Sequence, residues 1–334
     1  ILSTNASGGT INLVGNGNKQ GGVYTFVGAR VLSAKGDINI TGSATTDKLN
    51  SIALRGAKLG YDTTDITTSS ANINLTSDAM AIETNSALKT TGTVNLVNKT
   101  AGTKIDIGGN DVAAATATLG LTNAELNTIT ASKLVIGSAS AGDMTVSSVV
   151  TTSATSGDVS LLTGGNLSIN AALTVGETGA TKNLTINASG TSSVVTQSAA
   201  LKATGLELLG STAAYTLTNA DNDIVTLAGN TQSLAYFDSN ALNLGSVNTT
   251  GLTANGTVKI ESDGDIAVTQ AIHTNDTSAA AVVLNAGKST TAGTATGGDI
   301  TISGTGSVVT GTGGRITYET GSIAGSTGDR KSVV

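Results

Sequence analysis

Apolar residues recur along this chain in pairs separated by one small polar residue. Ile38-Asn39-Ile40, Val94-Asn95-Leu96, Met144-Thr145-Val146, Val159-Ser160-Leu161 and Ile300-Thr301-Ile302 are five instances. A period of two places both apolar side chains on one face of a strand and the middle residue on the other. Each triplet follows Gly and one short polar residue, as in Gly36-Asp37 and Gly92-Thr93, and further copies begin at Gly9, Gly165, Gly256, Gly264 and Gly314. Glycine before the strand supplies a sharp turn without steric cost, and Asp, Asn or Thr after it bonds the turn backbone. The phrase therefore predicts a turn followed by a short strand with an inward apolar face.

Gly157 and Gly165 are eight residues apart, as are Gly256 and Gly264, whereas Gly9 and Gly36 are 27 apart. Strands thus recur at short, irregular intervals, with loops taking up the difference. Asn123 to Leu134, NAELNTITASKL, is the best helix candidate, but the β-branched run Thr128-Ile129-Thr130 favours a strand there. Many short strands fit a sandwich or barrel, a propeller, or a parallel β-helix. The chain contains no proline, which favours the β-helix, because nearly every strand N–H there is needed for pairing with the coil above or below. Scarce aromatics agree with a narrow interior of stacked aliphatics. At about 22 residues per coil the expectation is a single continuous solenoid over residues 1–334 of roughly 15 coils, a rod of about 70 Å.

Composition narrows the function classes. Of 334 residues, 12% are charged and the net charge is −6, against about 25% charged in ordinary domains. A mildly acidic chain lacks the basic patch that nucleic-acid binding needs, and no apolar run reaches the roughly 18 residues of a membrane span. ILSTNASGG at the start carries no basic region or apolar core of a signal peptide. The absence of cysteine is compatible with a reducing compartment or with export.

Two passages, LGLTNAELNTITASKLVIGSASAGDMTVSSVV from Leu119 and YTLTNADNDIVTLAGNTQSLAYFDSNALNLGSVNTTGLTANGTVKI from Tyr215, resemble large bacterial exoproteins of the filamentous-haemagglutinin type, exported by two-partner secretion. The resemblance rests on Ala124-Glu125-Leu126 leading into Ile129-Thr130-Ala131 and Leu134-Val135-Ile136-Gly137. In the second passage it rests on Leu217-Thr218-Asn219-Ala220, Leu227-Ala228, and Leu242 through Gly245 to Val247. It implies a right-handed parallel β-helix, export from a Gram-negative cell to the surface or medium, and a role in adhesion, aggregation or as a stalk. The Asn-Pro motifs of the family's secretion domain are missing, so the chain matches the rod and not the export domain.

Few residues offer chemistry. His273 is the only histidine; a Ser–His–Asp triad would have to use it, with Asp276 or another acid as orienter, and no serine stands in a Gly-x-Ser-x-Gly elbow. One histidine and no cysteine leave no zinc site. Gly287-Lys288-Ser289 echoes a phosphate loop, but Val282 occupies the place of its first glycine. Asp37, Asp143, Asp158, Asp265 and Asp299 follow Gly directly at irregular spacing, which suits turn capping and not the nonapeptide calcium roll. Asp221 with Asp223, and Asp263 with Asp265, could each share a strand face as a glycosidase or lyase would require, yet basic residues are scattered. Asn-x-Ser/Thr occurs at Asn5, Asn74, Asn98, Asn166, Asn183, Asn187, Asn248, Asn255 and Asn275, as expected for this composition.

The reading is a non-enzymatic, extracellular or cell-surface structural or adhesive rod with no catalytic, cofactor or metal residues; the alternative is a carbohydrate-active β-helix. Expected partners are a host or cell-surface glycan or protein. With no capping helix before Gly9, no proline, and only Arg330 and Lys331 near the end, continuation of the same chain or end-to-end self-association is also expected.

Overall fold

The computed structural model describes residues 1–3, 8–17, 21–44, 51–113, 117–153, 156–176, 182–290 and 297–321; Asn5, Arg330 and Lys331 lie outside them. The chain is all-β and wound as a parallel β-helix. It divides into two compact units, residues 1–166 with 174–182, and residues 167–173 with 183–334.

In the first unit β1 (Leu2–Ser3) leads into coils that repeat one order of strands. The first coil holds β2 (Ile11–Gly17), β3 (Val23–Tyr24) and β4 (Arg30–Ser33); the second holds β5 (Ile38–Ala44), β6 (Ile52–Leu54) and β7 (Lys58–Gly60). The third holds β8 (Ile73–Thr76), β9 (Met80–Ile82) and β10 (Ala87–Lys89). The fourth is longer: β11 (Thr93–Val97), β12 (Lys104–Ile107), β13 (Thr118–Leu121), helix α1 (Asn123–Leu126) and β14 (Ile129–Thr130). β15 (Lys133–Gly137), β16 (Met144–Val146), β17 (Val150–Thr151) and β18 (Asp158–Thr163) follow. β1, β4, β7, β10 and β14 make one parallel sheet, and β3, β6 and β9 another. β2, β5, β8, β11, β15 and β18 pair in that order, all parallel.

The phrase sets this register. Ile38, Ile73, Val94 and Leu134 stack directly on one another, and none has exposed surface. Burying each such side chain is worth about 1.5–3 kcal/mol. Asn39, Asn95, Thr145 and Thr301 are half-exposed, as the alternation requires, while Ser160 departs from the pattern and is buried. On the outer side the asparagines form a ladder. Asn39 Nδ2 donates to Asn12 Oδ1 at 2.8 Å, Asn74 Nδ2 to Asn39 Oδ1 at 2.6 Å, and Asn95 Nδ2 to Asn74 Oδ1 at 2.7 Å. The three steps span 27, 35 and 21 residues, so corners absorb the irregular spacing while the strand faces stay in register.

Two local expectations need correction. The phrase glycines are mostly not there for a left-handed turn: Gly157 and Gly298 have positive φ, but Gly36, Gly142 and Gly264 do not. A Cβ on Gly36 would lie 2.3 Å from Gly9 O, and one on Gly142 would lie 2.4 Å from Gly102 O. They are glycine because the neighbouring coil's backbone presses on the corner. Over Asn123–Leu126, where a strand is expected, there is one helical turn. Thr122 and Glu125 close a capping box, with Thr122 Oγ1 accepting from Glu125 N at 3.3 Å and Glu125 Oε2 accepting from Thr122 N at 2.8 Å. Those reciprocal bonds outweigh the β-branched run, which begins its strand only at Ile129.

In the second unit Leu201–Leu217 and Asp223–Asp238 are 17 and 16 residues long and pair with each other in parallel, with a shift of register between Gly210 and Ala214. They stay extended through a corner where short separate strands are expected. Val258–Ser262, Val282–Ala286 and Ile316–Thr320 continue the stack, and so do Leu242–Leu244, Ile266–Val268 and Ile300–Ile302. Two of the few aromatics fill this interior. Tyr215 and Tyr236 are essentially unexposed, and each hydroxyl finds a partner, Leu209 O at 2.5 Å and Asp238 Oδ2 at 2.7 Å.

Ile38→Asp puts an unpaired carboxylate into a dry stack and should lower stability by about 3 kcal/mol or more. Asn74→Ala removes two ladder bonds from a half-exposed position and should cost only about 1–2 kcal/mol. Urea denaturation of both variants checks the order; an Ile38→Asp midpoint above that of Asn74→Ala would refute the register.

Candidate functional site

Among the described residues, the chain does something in the fourth coil that it does in no other coil of the first unit. β12 pairs on one side with β16. The chain then turns back and lays β13, also parallel, on the other side of β12. β13 therefore occupies a level between β9 and β12, while β11 passes from β8 to β15 with no added strand. The sheet of β3 and β6 stops at β9, and β9 and β13 are left as two facing edges without a ladder between them.

Two carboxylates bridge these edges. Asp111, from the loop joining β12 to β13, accepts from Gly120 N of β13 at 2.8 Å and from the backbone N–H of Met80 in β9. Glu125, from α1, accepts from Ile82 N of β9 at 2.9 Å and, through its other oxygen, from Thr122 N at 2.8 Å. The capping box that forms α1 thus also fixes Glu125 against β9. Gly120 is necessary to the arrangement: a Cβ there would lie 2.0 Å from the carbonyl carbon of Asn110, so only glycine lets the Asp111 loop lie on β13. Along the split runs an open cavity of about 660 Å³, bordered by Glu83, Asn85 and Asn110 as well as the two bridging acids. Burial, reinforced by the negative charge of Glu125, pushes the Asp111 carboxyl up to about 8 against the pull of its two N–H donors. A half-buried acid that retains its proton near neutrality beside a second carboxylate is the arrangement used for proton transfer.

Two further acids are buried in the second unit. Glu207 points outward from Leu201–Leu217 yet is 3% exposed, because Asn248 and Thr249 fold back over it. Asn248 Nδ2 and Thr185 Oγ1 donate to one oxygen at 2.9 and 2.8 Å, and Thr249 N to the other at 2.7 Å. Burial raises this carboxyl, but the donors outweigh it and hold it below the usual range. Asp238 is fully buried and accepts from Tyr236 Oη, Ile224 N and Asn240 N. Here burial, with the charge of Asp223, prevails and pushes the carboxyl up to about 6.

The residues considered from sequence are not brought together. His273 is exposed, and its ladder neighbours are Thr253 and Val309; Asp276 accepts from Ser278 N at 2.7 Å within its own turn. Asp221 and Asp223 are exposed, and between them Asn222 is buried, binding Gln197 Nε2 at 2.8 Å and Leu201 N at 2.9 Å. Lys288 does not form a phosphate loop: its Nζ lies 2.7 Å from Glu261 Oε1, with Lys259 at 3.1 Å from the other oxygen. Three of the five aspartates after glycine cap backbone, but in the next coil and not in their own turn. Asp37 Oδ1 accepts from Asn72 N, Asp143 Oδ1 from Asn166 N, and Asp265 Oδ1 from Gly298 N and Asp299 N, all at 2.9 Å. No group of three or more His, Cys, Asp or Glu suited to a metal is found among the described residues, and no described helix is long and apolar enough to cross a membrane.

Asp111, Glu125, Glu207 and Asp238 are not visible as a set in the sequence. The T-x-x-E box at Thr122 and the lone Glu207 in the middle place of Leu-Glu-Leu are signals that could have found two of them. Asp238 yields a pH prediction. Its folded carboxyl holds the proton more tightly than the unfolded one, so its contribution to stability is fullest below about pH 4 and is lost as pH rises through 6, by on the order of 3 kcal/mol. Between pH 4 and 6.5 the melting temperature of the wild type should therefore fall relative to that of Asp238→Asn; a constant difference between the two would refute the assignment.

Comparison with protein-family models, with curated proteins and with solved structures finds no match for this chain.

Proposed function

We propose that this chain is a non-enzymatic structural or adhesive β-helical scaffold acting outside the cell or at a bacterial surface. One observation carries the reading: its acids are used to hold coil to coil. Asp37, Asp143 and Asp265 cap the backbone of the next coil. Asp78 accepts from Lys99 N, Thr100 N and Thr103 Oγ1 in the same way, and Glu261 is clamped by two lysines. What β2, β5, β8 and β11 present outward is mostly neutral and polar, threonines and serines beside the Asn12–Asn95 amide ladder. A surface of this kind suits many weak, neutral contacts with a glycan or protein of another cell and with copies of the same chain. The resemblance to haemagglutinin-type exoproteins points the same way.

A second reading, a carbohydrate-active enzyme, is favoured by the cavity along the β9–β13 split and its two carboxylates. One experiment separates them. Purified protein is incubated with a panel of acidic and neutral polysaccharides, and in parallel is coated on beads presented to cells. On the scaffold reading no new reducing or unsaturated ends form and the beads are retained by cells. Turnover that is lost in Asp111→Asn and in Glu125→Gln would replace it with the enzymatic reading.

A further inference from the structure

The split between β9 and β13 is an unusual place in a solenoid, because two strand edges meet there through side chains. Among the described residues, strands stacked elsewhere in the first unit pair by backbone ladders, and carboxylates such as Asp37, Asp78 and Asp143 join coils only at the corners. Here the bonds across the gap end on Asp111 and Glu125: Met80 N and Gly120 N on the first, Ile82 N and Thr122 N on the second. The N–H groups alternate along each edge, so the two carboxylates stand where two rungs of a parallel ladder would otherwise be. Both acids border the same open cavity, so water reaches the junction as soon as it loosens.

We propose that Asp111 and Glu125 form a proton-operated latch, which holds β9 against β13 while Asp111 keeps its proton and releases the split when that proton is lost. With Asp111 neutral, the split contains one negative charge shared among backbone donors. With it ionised, two carboxylates sit side by side in a half-dry cleft. The other charged groups about the cleft do not relieve this. Glu83 borders it and is held by Arg55 at 3.4 Å. On β12, the next rung offers Asp106 level with Gly120, and Lys104 level with Thr118 at the strand's exposed end. No lysine or arginine is among the residues lining the cavity. Separation of Asp111 and Glu125 from β9 admits water to both carboxylates and screens the repulsion, at the expense of two bridged rungs. The raised carboxyl of Asp111 places this event near neutrality to mildly alkaline pH. The direction follows from linkage: the closed state binds the Asp111 proton more tightly than the open state, so closure is favoured in acid and weakened as pH rises. The inference concerns the fold alone and stands whichever functional reading holds.

Hydrogen exchange measured residue by residue on the intact chain tests it. After correction for the intrinsic pH dependence of exchange, protection at Met80 and Ile82, whose bonds cross the split, should fall at least tenfold between pH 6 and pH 9.5, while protection at Asn74 and Asn95 stays constant. Asp111→Asn, which cannot ionise, should keep both β9 amides protected at the higher pH. Constant protection at Met80 and Ile82 in the wild type would overturn the latch, and so would an Asp111→Asn variant that loses protection just as the wild type does. If Asp111→Asn does not fold, carbon-detected titration of the Asp111 carboxyl in the wild type replaces it. The carboxyl midpoint must then coincide with the midpoint of protection loss, and a separation of more than about one pH unit, a tenfold difference in proton affinity, would overturn the proposal.

Discussion

Every backbone N–H and C=O in a coil must find its partner in the coil before or the coil after, and the rest of the structure follows from that requirement. A helix satisfies its backbone within itself; a parallel solenoid cannot. Strand faces meet the demand by ladder pairing, which is why the chain holds no proline and why Ile38, Ile73, Val94 and Leu134 fall into one column. Corners cannot ladder continuously, because the backbone leaves the strand direction there. At the corners side-chain oxygens take over, and Asp37, Asp78, Asp143 and Asp265 each reach into the following coil for an N–H. The same demand shapes the glycines, since backbone stacked this closely at Gly36 and Gly142 leaves no room for a Cβ.

Seen this way, the low charge content is a consequence of the architecture. An acid in a corner is surrounded by neutral N–H donors and needs no cation. Glu207 shows how far this goes: it is almost fully buried with amide and hydroxyl donors alone, and they hold its carboxyl ionised. Asp238 shows the limit, since its three donors do not offset complete burial and its carboxyl is raised. Burial acts first on both, and Asp238 is the more deeply buried of the two; the neighbours add to the difference. Asp223 adds negative charge near Asp238, whereas the causes acting on Glu207 include no second acid.

Much of the fold could be read from the sequence because the strand phrase is itself the repeating physical unit. Val94-Asn95-Leu96 states which side chains are inside, and the missing proline states how the strands are paired. What could not be read depends on chain order running against spatial order. Nothing in GGNDVAAATATLGL, residues 108–121, announces that β13 will lie behind β12 and not ahead of it. The pattern of Leu119 and Leu121 is the same in either place. The acids of the split were therefore invisible as a pair: Asp111 and Glu125 lie 14 residues apart in sequence and meet only because β13 returns to face β9. The helix was missed for a more local reason. Four residues are too few to show a helical period, and only the capping box marks them. The Asn ladder lay between these cases, since Asn12, Asn39, Asn74 and Asn95 each stand between apolar residues in the sequence, but the bonds among them depend on the register of unequal coils.

The extra strand has a further consequence for how the first unit holds together. From β8 to β15 the chain advances two levels in the sheet that carries β11, while from β9 to β16 it must also accommodate both β13 and β12. Two levels on one face cannot match three on another if all are ladder-spaced at about 4.8 Å. The mismatch interrupts the ladder, and the interruption falls between β9 and β13, where the extra strand meets the old stack. A carboxylate can join the two edges there, as Glu125 does with one oxygen on each. The acids of the split thus stand where an inserted strand interrupts the ladder, and as carboxyl groups they bring to that place a sensitivity to protons that a backbone rung does not have.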